Sequence, residues 1–189
     1  MQTHTSTEPS TTSPQLDESV FRAAMRRVAG AVCVIASGTP GQRAGLTATA
    51  VCSITASPPR LLVCINRRSS AHDPIQAAGA LSINVLAADD VQQAKSFAGL
   101  TPDLRGEQRF ETGHWHELAG SPVLATACAA FACRVIEVIP ASTHSMFICE
   151  VVAAQSASAP REGLLYVDGH FRHLAPMNGL EIPPMEWLW

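Results

Sequence analysis

Short apolar segments rich in β-branched residues recur along almost the whole chain, and they constrain its fold more than any other feature of the sequence. Turn-forming Gly, Pro, Ser and Asp residues separate these segments, which gives seven or eight predicted strands against two or three short helices. Strands and helices rarely alternate one for one, which argues against a doubly wound parallel sheet. The sequence therefore predicts a mainly β fold with short helices, built as a mostly antiparallel barrel or sandwich.

Composition divides the chain into three regions. Residues 1–16 are rich in Ser and Thr and lack a basic stretch followed by an apolar one, so we expect a disordered leader rather than a secretory signal. Residues 17–175 hold the predicted strands and helices as one domain, and residues 176–189 form a tail with two Trp. With 189 residues, of which 47% are hydrophobic, the chain can build one core.

Several classes of function conflict with this composition. The formal net charge of −3 argues against a nucleic-acid partner, and no run of aromatic residues suggests an oligonucleotide-binding barrel. No apolar run reaches the roughly 18 residues of a membrane helix. Lys95 is the only lysine, which excludes a P-loop. The six cysteines lie in apolar stretches without a C-x-x-C motif, which indicates reduced thiols and a cytoplasmic protein.

Signatures of metal, hydrolytic and dinucleotide sites are weak in this sequence. Neither close histidine pair has the spacing of zinc ligands, and no G-x-S-x-G motif marks a nucleophilic serine. The glycines at 38, 41 and 45 precede a strand, whereas a Rossmann cradle precedes a helix. We therefore predict no metal site. The histidine pairs are His114 with His116 and His170 with His173.

The segment 46–55 alternates between an apolar face and a face of small, mostly polar side chains. One strand later, Asn66 begins a turn that continues with two Arg and then Ser69 and Ser70. Small side chains let a flat ring approach the backbone closely, and hydroxyl groups beside Arg suit a phosphate. From the residues alone, a planar anionic ligand and ordinary turn chemistry both remain open.

Eight segments in one order carry a resemblance to a known family. Together they span about residues 20–175 and resemble the short flavin reductases that supply two-component flavin-dependent monooxygenases. Within that family the chain resembles the 4-hydroxyphenylacetate monooxygenase reductase class and the pyrimidine-utilisation flavin reductase. The segments are FRAAMRRVAGAVCVIAS, AGLTATAVCSITASPPRLLVCINRRSS, LSINVLAADDVQQAKSFAG, QRF, HWHELAGSPVL, CRVIEV, STHSMFICEV and LLYVDGHFRHL.

The resemblance implies an FMN-binding split β-barrel of Greek-key type that forms a homodimer. Such proteins reduce free FMN or FAD with NADH or NADPH, and the reduced flavin then leaves for a flavin-dependent oxygenase component. The alternative is a non-catalytic split barrel that binds or stores flavin. Steady oxidation of NADH in the presence of free flavin separates the two.

The resemblance also implies site residues by position. His144 matches the histidine that the family associates with the nicotinamide, which makes it the predicted catalytic residue. Ser142 and Thr143 stand where the family commonly has Gly and Asp, and Gln108 replaces the family's Asp before an Arg-Phe pair, so the preferred pyridine nucleotide stays open. The implied flavin-binding residues are Gly45, Thr47, Ala48, Thr49, Ala50, Cys64, Ile65 and Asn66 for the ring, Ser69 and Ser70 for the phosphate, and Arg109 with Phe110.

Overall fold

The computed structural model describes residues 16–174, so most of the predicted leader and the predicted tail lie outside the described residues. Strands dominate this part of the chain, and the helices are short. The helices are α1 (Glu18–Met25), α2 (His72–Ala78) and α3 (Val91–Phe97). The strands are β1 (Gly30–Ala31), β2 (Cys33–Ser37), β3 (Ala44–Ala48), β4 (Val51–Ala56), β5 (Pro59–Asn66), β6 (Ala80–Val85), β7 (Trp115–Leu118), β8 (Ser121–Leu124), β9 (Ala129–Ala141), β10 (His144–Ser156), β11 (Leu164–Val167) and β12 (His170–His173).

Seven strands form one antiparallel sheet in the order β3-β2-β6-β9-β10-β5-β4. The two edge strands, β3 and β4, follow each other directly in the chain and are linked by Thr49 and Ala50 alone. Because two residues cannot span a flat seven-stranded sheet, the sheet curls until its edges meet at this link. The result is a split barrel, which confirms the mainly β fold predicted from the sequence.

The core is divided between the inside of the barrel and a layer beneath the segment 99–124. Inside the barrel, Ile35, Ile65, Ile83 and Phe147 are fully buried. Alternation along the strands places the other half of their side chains on the outer face. The second layer packs α3 and the β7–β8 hairpin against β2, and its buried residues include Val34, Leu86, Phe97, Phe110 and Leu124.

Two stretches depart from the expected secondary structure. The alternating segment 46–55 is not one strand, because it breaks into β3 and β4 at Thr49–Ala50. The polar residues 100–122 predict a long loop excursion, but they contain a 3₁₀ turn (Gly106–Glu111) and most of the β7–β8 hairpin, which ends at Leu124. That hairpin turns through Ala119 and Gly120, both at positive φ, as a two-residue turn of this hand requires.

Helix α1 is attached at its carboxyl end to the β11–β12 turn and buries none of its own residues. Asp17 caps it by accepting a hydrogen bond from the Ser19 amide at 2.7 Å, as its position predicts. Beyond the helix, the Arg26 carbonyl accepts the Asp168 amide at 2.7 Å. The spacing of apolar residues over 17–28 predicts an amphipathic helix with a solvated Arg face, and the apolar Phe21 is also 53% exposed because no described element covers it.

Candidate functional site

Three of the residues implied by the resemblance line one large cavity. Gly45 on β3, Ser70 before α2 and Arg109 in the 3₁₀ turn surround a space of about 690 Å³. The β2–β3 loop, the start of α2 and the segment 99–109 form its walls. These residues lie far apart in sequence, so the fold brings together positions that the resemblance assigned separately.

Arg109 enters this cavity with part of its hydrogen-bonding capacity unused. Its Nη1 atom lies 3.5 Å from the Gly45 carbonyl oxygen, at the limit for a hydrogen bond. Its Nε atom is buried and has no partner among the described residues. A guanidinium with an unsatisfied donor favours an anionic or carbonyl oxygen as its partner. Arg43 and Arg105 line the same cavity and add positive charge.

The turn after β5 is held by its own backbone and by the neighbouring hairpin. The Asn66 carbonyl accepts the Ser69 amide at 2.9 Å, and the Asn66 side chain accepts the Arg68 amide at 2.9 Å. Ser69 Oγ accepts the Ala71 amide at 3.3 Å. The Ser69 hydroxyl therefore shapes the turn, whereas Ser70 is exposed at the cavity.

The predicted catalytic histidine lies beside this turn. His144 begins β10 and is paired directly with Asn66 at the end of β5. Its ring is half-buried, and its Nδ1 atom lies 2.9 Å from Thr143 Oγ1. The fold thus pairs a histidine and an asparagine that are 78 positions apart in sequence.

One edge of β5 is open next to this histidine. The Cys64 amide donates to the Ala50 carbonyl at 3.0 Å, and the Arg67 amide donates to the Thr143 carbonyl on the opposite side at 3.0 Å. Since alternate residues of a strand direct their N–H groups to the same edge, the Asn66 N–H points with that of Cys64, towards the β3–β4 link. β4 begins its pairing with β5 at Val63, which leaves the Asn66 N–H beyond the end of the ladder.

The remaining residues of the alternating segment lie around other spaces. Thr47, Ala48 and Thr49 line a cavity of about 300 Å³ together with the aromatic rings of Tyr166 and Phe171. The Thr47 hydroxyl donates to the Ala94 carbonyl at 2.8 Å and so ties β3 to α3. Ala50 lines a third cavity, of about 340 Å³, beneath the end of α1. The structure therefore does not gather the whole segment around a single cavity.

Two implied residues have side chains that are buried away from any ligand. Ile65 is fully buried inside the barrel, so only its backbone faces the sheet edge. Phe110 is 4% exposed and packs edge-on against Phe97 and Trp115, with each pair of ring centroids 4.9 Å apart. Phe110 thus supports the segment that carries Arg109.

An ion pair that the sequence reasoning missed crosses the rim of the large cavity. Arg43 Nε donates to Glu107 Oε1 at 2.7 Å, and the Arg43 amide donates to Glu107 Oε2 at 2.6 Å. The Arg43 guanidinium also lies over the Phe110 ring, 4.4 Å from its centroid. No sequence signal connects residues 43 and 107, because their pairing depends on how the excursion folds back.

The environment shifts the pKa of two groups near these residues. Partial burial alone would raise the pKa of Glu107, but hydrogen bonds from Arg43 and from the Gly41 amide outweigh it and hold that pKa below its usual range. Burial, and then the neighbouring Cys52, raise the pKa of the Cys64 thiol. Glu107 therefore stays ionised, and Cys64 stays a neutral thiol near pH 7.

The described part of the chain has neither a metal-binding cluster nor a membrane-spanning helix. Within residues 16–174, no three His, Cys, Asp or Glu side chains cluster in a way that could bind a metal ion. No helix in that range has both the length and the apolar character needed to span a bilayer. All six cysteines are free.

Comparison with known proteins identifies relatives over nearly the whole described chain. The family model described as "Flavin reductase like domain" matches residues 25–175. A protein of Ancylobacter novellus named FMN reductase (NADH) RutF is 41% identical over 163 residues, which cover 86% of this chain and 88% of that protein.

Solved structures show the same fold. The NADH:FAD oxidoreductase SgcE6 of Streptomyces globisporus superposes with a TM-score of 0.75 at 29% identity, covering 89% of this chain and all of that one. BorF, the flavin reductase component of a bacterial two-component tryptophan halogenase, superposes with a TM-score of 0.76 at 28% identity. That match covers 85% of this chain and all of BorF.

Proposed function

This chain belongs to the flavin reductase-like domain family, and from that membership we propose that it reduces free flavin with NADH and releases the reduced flavin to a partner oxygenase. Its relatives are named as NADH-dependent FMN reductases, and the similar SgcE6 structure is an NADH:FAD oxidoreductase. NADH is therefore the preferred hydride donor of the two that the sequence left open, and FMN is the first flavin to test.

The unsatisfied guanidinium of Arg109 is the observation that best supports a flavin site in this chain. It lines the same cavity as the Ser70 hydroxyl, and its buried Nε lacks a partner among the described residues. A flavin phosphate supplies the oxygen atoms that such donors require. The donors of Ser70 and Arg109 therefore fit a flavin phosphate. We propose that these two residues hold the phosphate, while the β3–β4 link and the end of β5 receive the flavin ring.

The protein's own groups have a limited part in the chemistry. When both ligands are bound, the nicotinamide supplies a hydride and the flavin ring accepts it at N5. The Asn66 N–H, which lies beyond the end of the β4–β5 ladder, can donate to the ring where reduction adds negative charge. Small side chains at Ala48, Thr49 and Ala50 permit close approach to the backbone.

His144 orients the nicotinamide in this proposal. Thr143 Oγ1 contacts its Nδ1 atom, which fixes the ring and leaves Nε2 for the carboxamide. The histidine needs no proton transfer for hydride chemistry, so its contribution is to hold the donor against the flavin.

Anaerobic mixing tests the proposal directly. The purified chain with NADH and excess FMN should bleach the absorbance of oxidised flavin with multiple turnovers. If at most one equivalent of FMN per protein chain is reduced, the result would instead support the alternative of a flavin-binding or storage protein. Substituting FAD, and then NADPH, in the same assay ranks the two flavins and the two nucleotides.

We also propose that the chain forms a homodimer through its exposed apolar surface. Phe21 on α1 and Ile54 on β4 are 53% and 48% exposed, and Leu62 and Ile148 are neighbours on the outer face of the sheet. A second copy would remove this surface from water. Light scattering should give twice the chain mass, and Phe21→Asp with Ile54→Asp should lower it. The equally exposed Leu174→Asp serves as a control, and a monomeric wild type would contradict the proposal.

The partner of the reduced flavin and the cellular location are proposed from the same family membership. BorF is named as a component of a two-component halogenase, and we propose that a flavin-dependent oxygenase component consumes the reduced flavin made here. Transfer by diffusion predicts that an oxygenase separated by a dialysis membrane still turns over, although more slowly. Free thiols and NADH fit a cytoplasmic location. We assign this activity to a domain of residues 17–175.

A further inference from the structure

We propose that the Arg43–Glu107 pair is a latch that positions Arg109 for the flavin phosphate, and that it therefore determines how strongly the protein prefers phosphorylated flavins. This inference rests on the proposed function, because it concerns the same cavity. Neither residue was implied by the resemblance, and neither needs to touch the ligand in order to act.

The latch joins two segments that are otherwise held together by packing and by the 3.5 Å contact between Arg109 Nη1 and the Gly45 carbonyl. Arg43 leaves the β2–β3 loop, and Glu107 lies in the 3₁₀ turn that also carries Arg109. Three donors of Arg43 contact the two carboxylate oxygens: its backbone amide, Nε and Nη2. Such a two-pronged contact fixes orientation as well as distance. It therefore sets where the 3₁₀ turn lies against β3.

Aromatic packing beneath the latch transmits this position to Arg109. The Arg43 guanidinium rests on Phe110, which follows Arg109 directly in the chain. Phe110 packs on Phe97, and Phe97 packs on the bare backbone of Gly45. The Gly45 carbonyl in turn faces Arg109 Nη1. These contacts form a closed ring around the wall of the cavity, so releasing the latch should free Arg109 from its place.

A latch and a simple electrostatic role predict opposite results for one substitution. Glu107→Gln removes a negative charge from the cavity rim, and by charge alone this should strengthen the binding of a phosphate. If the carboxylate instead holds Arg43 and the 3₁₀ turn in place, the same substitution should weaken phosphate binding, because an amide offers a single neutral acceptor to the guanidinium. The sign of the change therefore decides between the two.

Equilibrium binding of FMN and of riboflavin measures the effect. These flavins share the ring and differ in the phosphate, so the ratio of the riboflavin Kd to the FMN Kd isolates the contribution of the phosphate. Quenching of flavin fluorescence gives both constants without turnover. We expect Glu107→Gln to lower this ratio about tenfold, in line with the loss of a charge-assisted contact. Arg43→Lys, which keeps the charge but loses the planar fork, should lower it as well.

Glu111→Gln is the matched control, since it removes a carboxylate from an exposed position of the same 3₁₀ turn. It should leave the ratio unchanged, and circular dichroism should show all three variants folded. A ratio that rises or stays constant in Glu107→Gln would overturn the latch, and so would a wild type that binds FMN no better than riboflavin. Failure of the wild type to bind any flavin would instead refute the proposed function.

Discussion

Adding a single methyl group at Gly45 tests whether this glycine serves packing or ligand contact. A Cβ atom there would lie 2.7 Å from Phe97 Cε1 and 2.9 Å from the Ile35 carbonyl oxygen. Carbon atoms in contact prefer about 3.5–4.0 Å, so the new atom is roughly 1 Å too close to the ring. Phe97 is 2% exposed and meets Phe110 on its other side, and the Ile35 oxygen belongs to the backbone of β2. Neither neighbour can retreat without disturbing the core.

We therefore expect Gly45→Ala to destabilise the domain by about 2–3 kcal/mol, the upper part of the range for an overpacked core. Urea unfolding followed by tryptophan fluorescence, to which Trp115 contributes from its position against Phe97, measures the loss. The double variant Gly45→Ala with Phe97→Leu should be more stable than the sum of the single effects predicts, because the smaller side chain makes room. Gly163→Ala is the control, since a Cβ there meets nothing within 4 Å. Wild-type stability in Gly45→Ala, or strict additivity in the double variant, would refute the packing argument.

Four further predictions follow from the site and the core. His144→Ala should raise the KM for NADH about tenfold and the KM for FMN much less; steady-state kinetics that show the reverse would contradict the assignment. His72→Leu should lower the free energy of unfolding in urea by roughly 1–3 kcal/mol. The buried His72 Nε2 lies 3.0 Å from the buried Ser145 hydroxyl, which would lose its partner, and an unchanged midpoint would contradict this. Exposed Cys52 should react first with a thiol reagent at pH 8, whereas burial raises the pKa of Cys33 to about 12 and should protect it until unfolding; mass spectrometry of the labelled peptides gives the order. The pKa of Glu107 is lowered in the folded protein, so its ion pair stabilises the fold at pH values above the unfolded pKa of about 4.3. This stabilisation is lost as the pH falls through the folded pKa. The urea unfolding midpoints of wild type and Glu107→Gln should therefore converge in acid.

The strand content was predictable because it depends on local periodicity, but the break in the barrel was not. Residues 46–55 alternate without interruption, so nothing local marks the boundary at Thr49 and Ala50. The boundary coincides with a tertiary contact that no local pattern shows: Gly30 on β1 lies so close to Thr49 that a Cβ on the glycine would be 2.9 Å from the threonine Cβ. In the β1–β11–β12 sheet, β1 pairs with a strand that lies more than 130 positions later in the chain.

The β7–β8 hairpin was within reach of sequence reasoning. Its strands carry Trp115 with Leu118 and Val123 with Leu124 on either side of Gly120, and a two-residue turn containing Gly between such stretches is a hairpin signal. The polar residues before and within β7, among them His114 and His116, obscured that pattern. The start of α2 also had a signal, since Asp73 and Pro74 are common in a first helical turn.

The candidate site was predictable only in part. Position-by-position resemblance assigned Ser70, Arg109 and His144, and the fold places the first two at one cavity and the third beside Asn66. The resemblance could not distinguish residues that face the cavity from residues that only pack behind them. Phe110 adjoins Arg109 in sequence, yet its ring is buried, because the 3₁₀ turn directs neighbouring side chains to different sides.

Helix α1 gives the molecule an accessible site for proteases. The residues of α1 are exposed, and its carboxyl end is held to the β11–β12 turn by the Asp168–Arg26 backbone bond and by an ion pair from Arg27 to Asp168 at 3.3 Å. Local opening of such a helix costs little, so trypsin should cleave after Arg22 long before it reaches the barrel. If a second copy covers the helix, the cleavage rate will fall as protein concentration rises. The lifetime of one peptide bond in α1 thereby reports how tightly two chains associate.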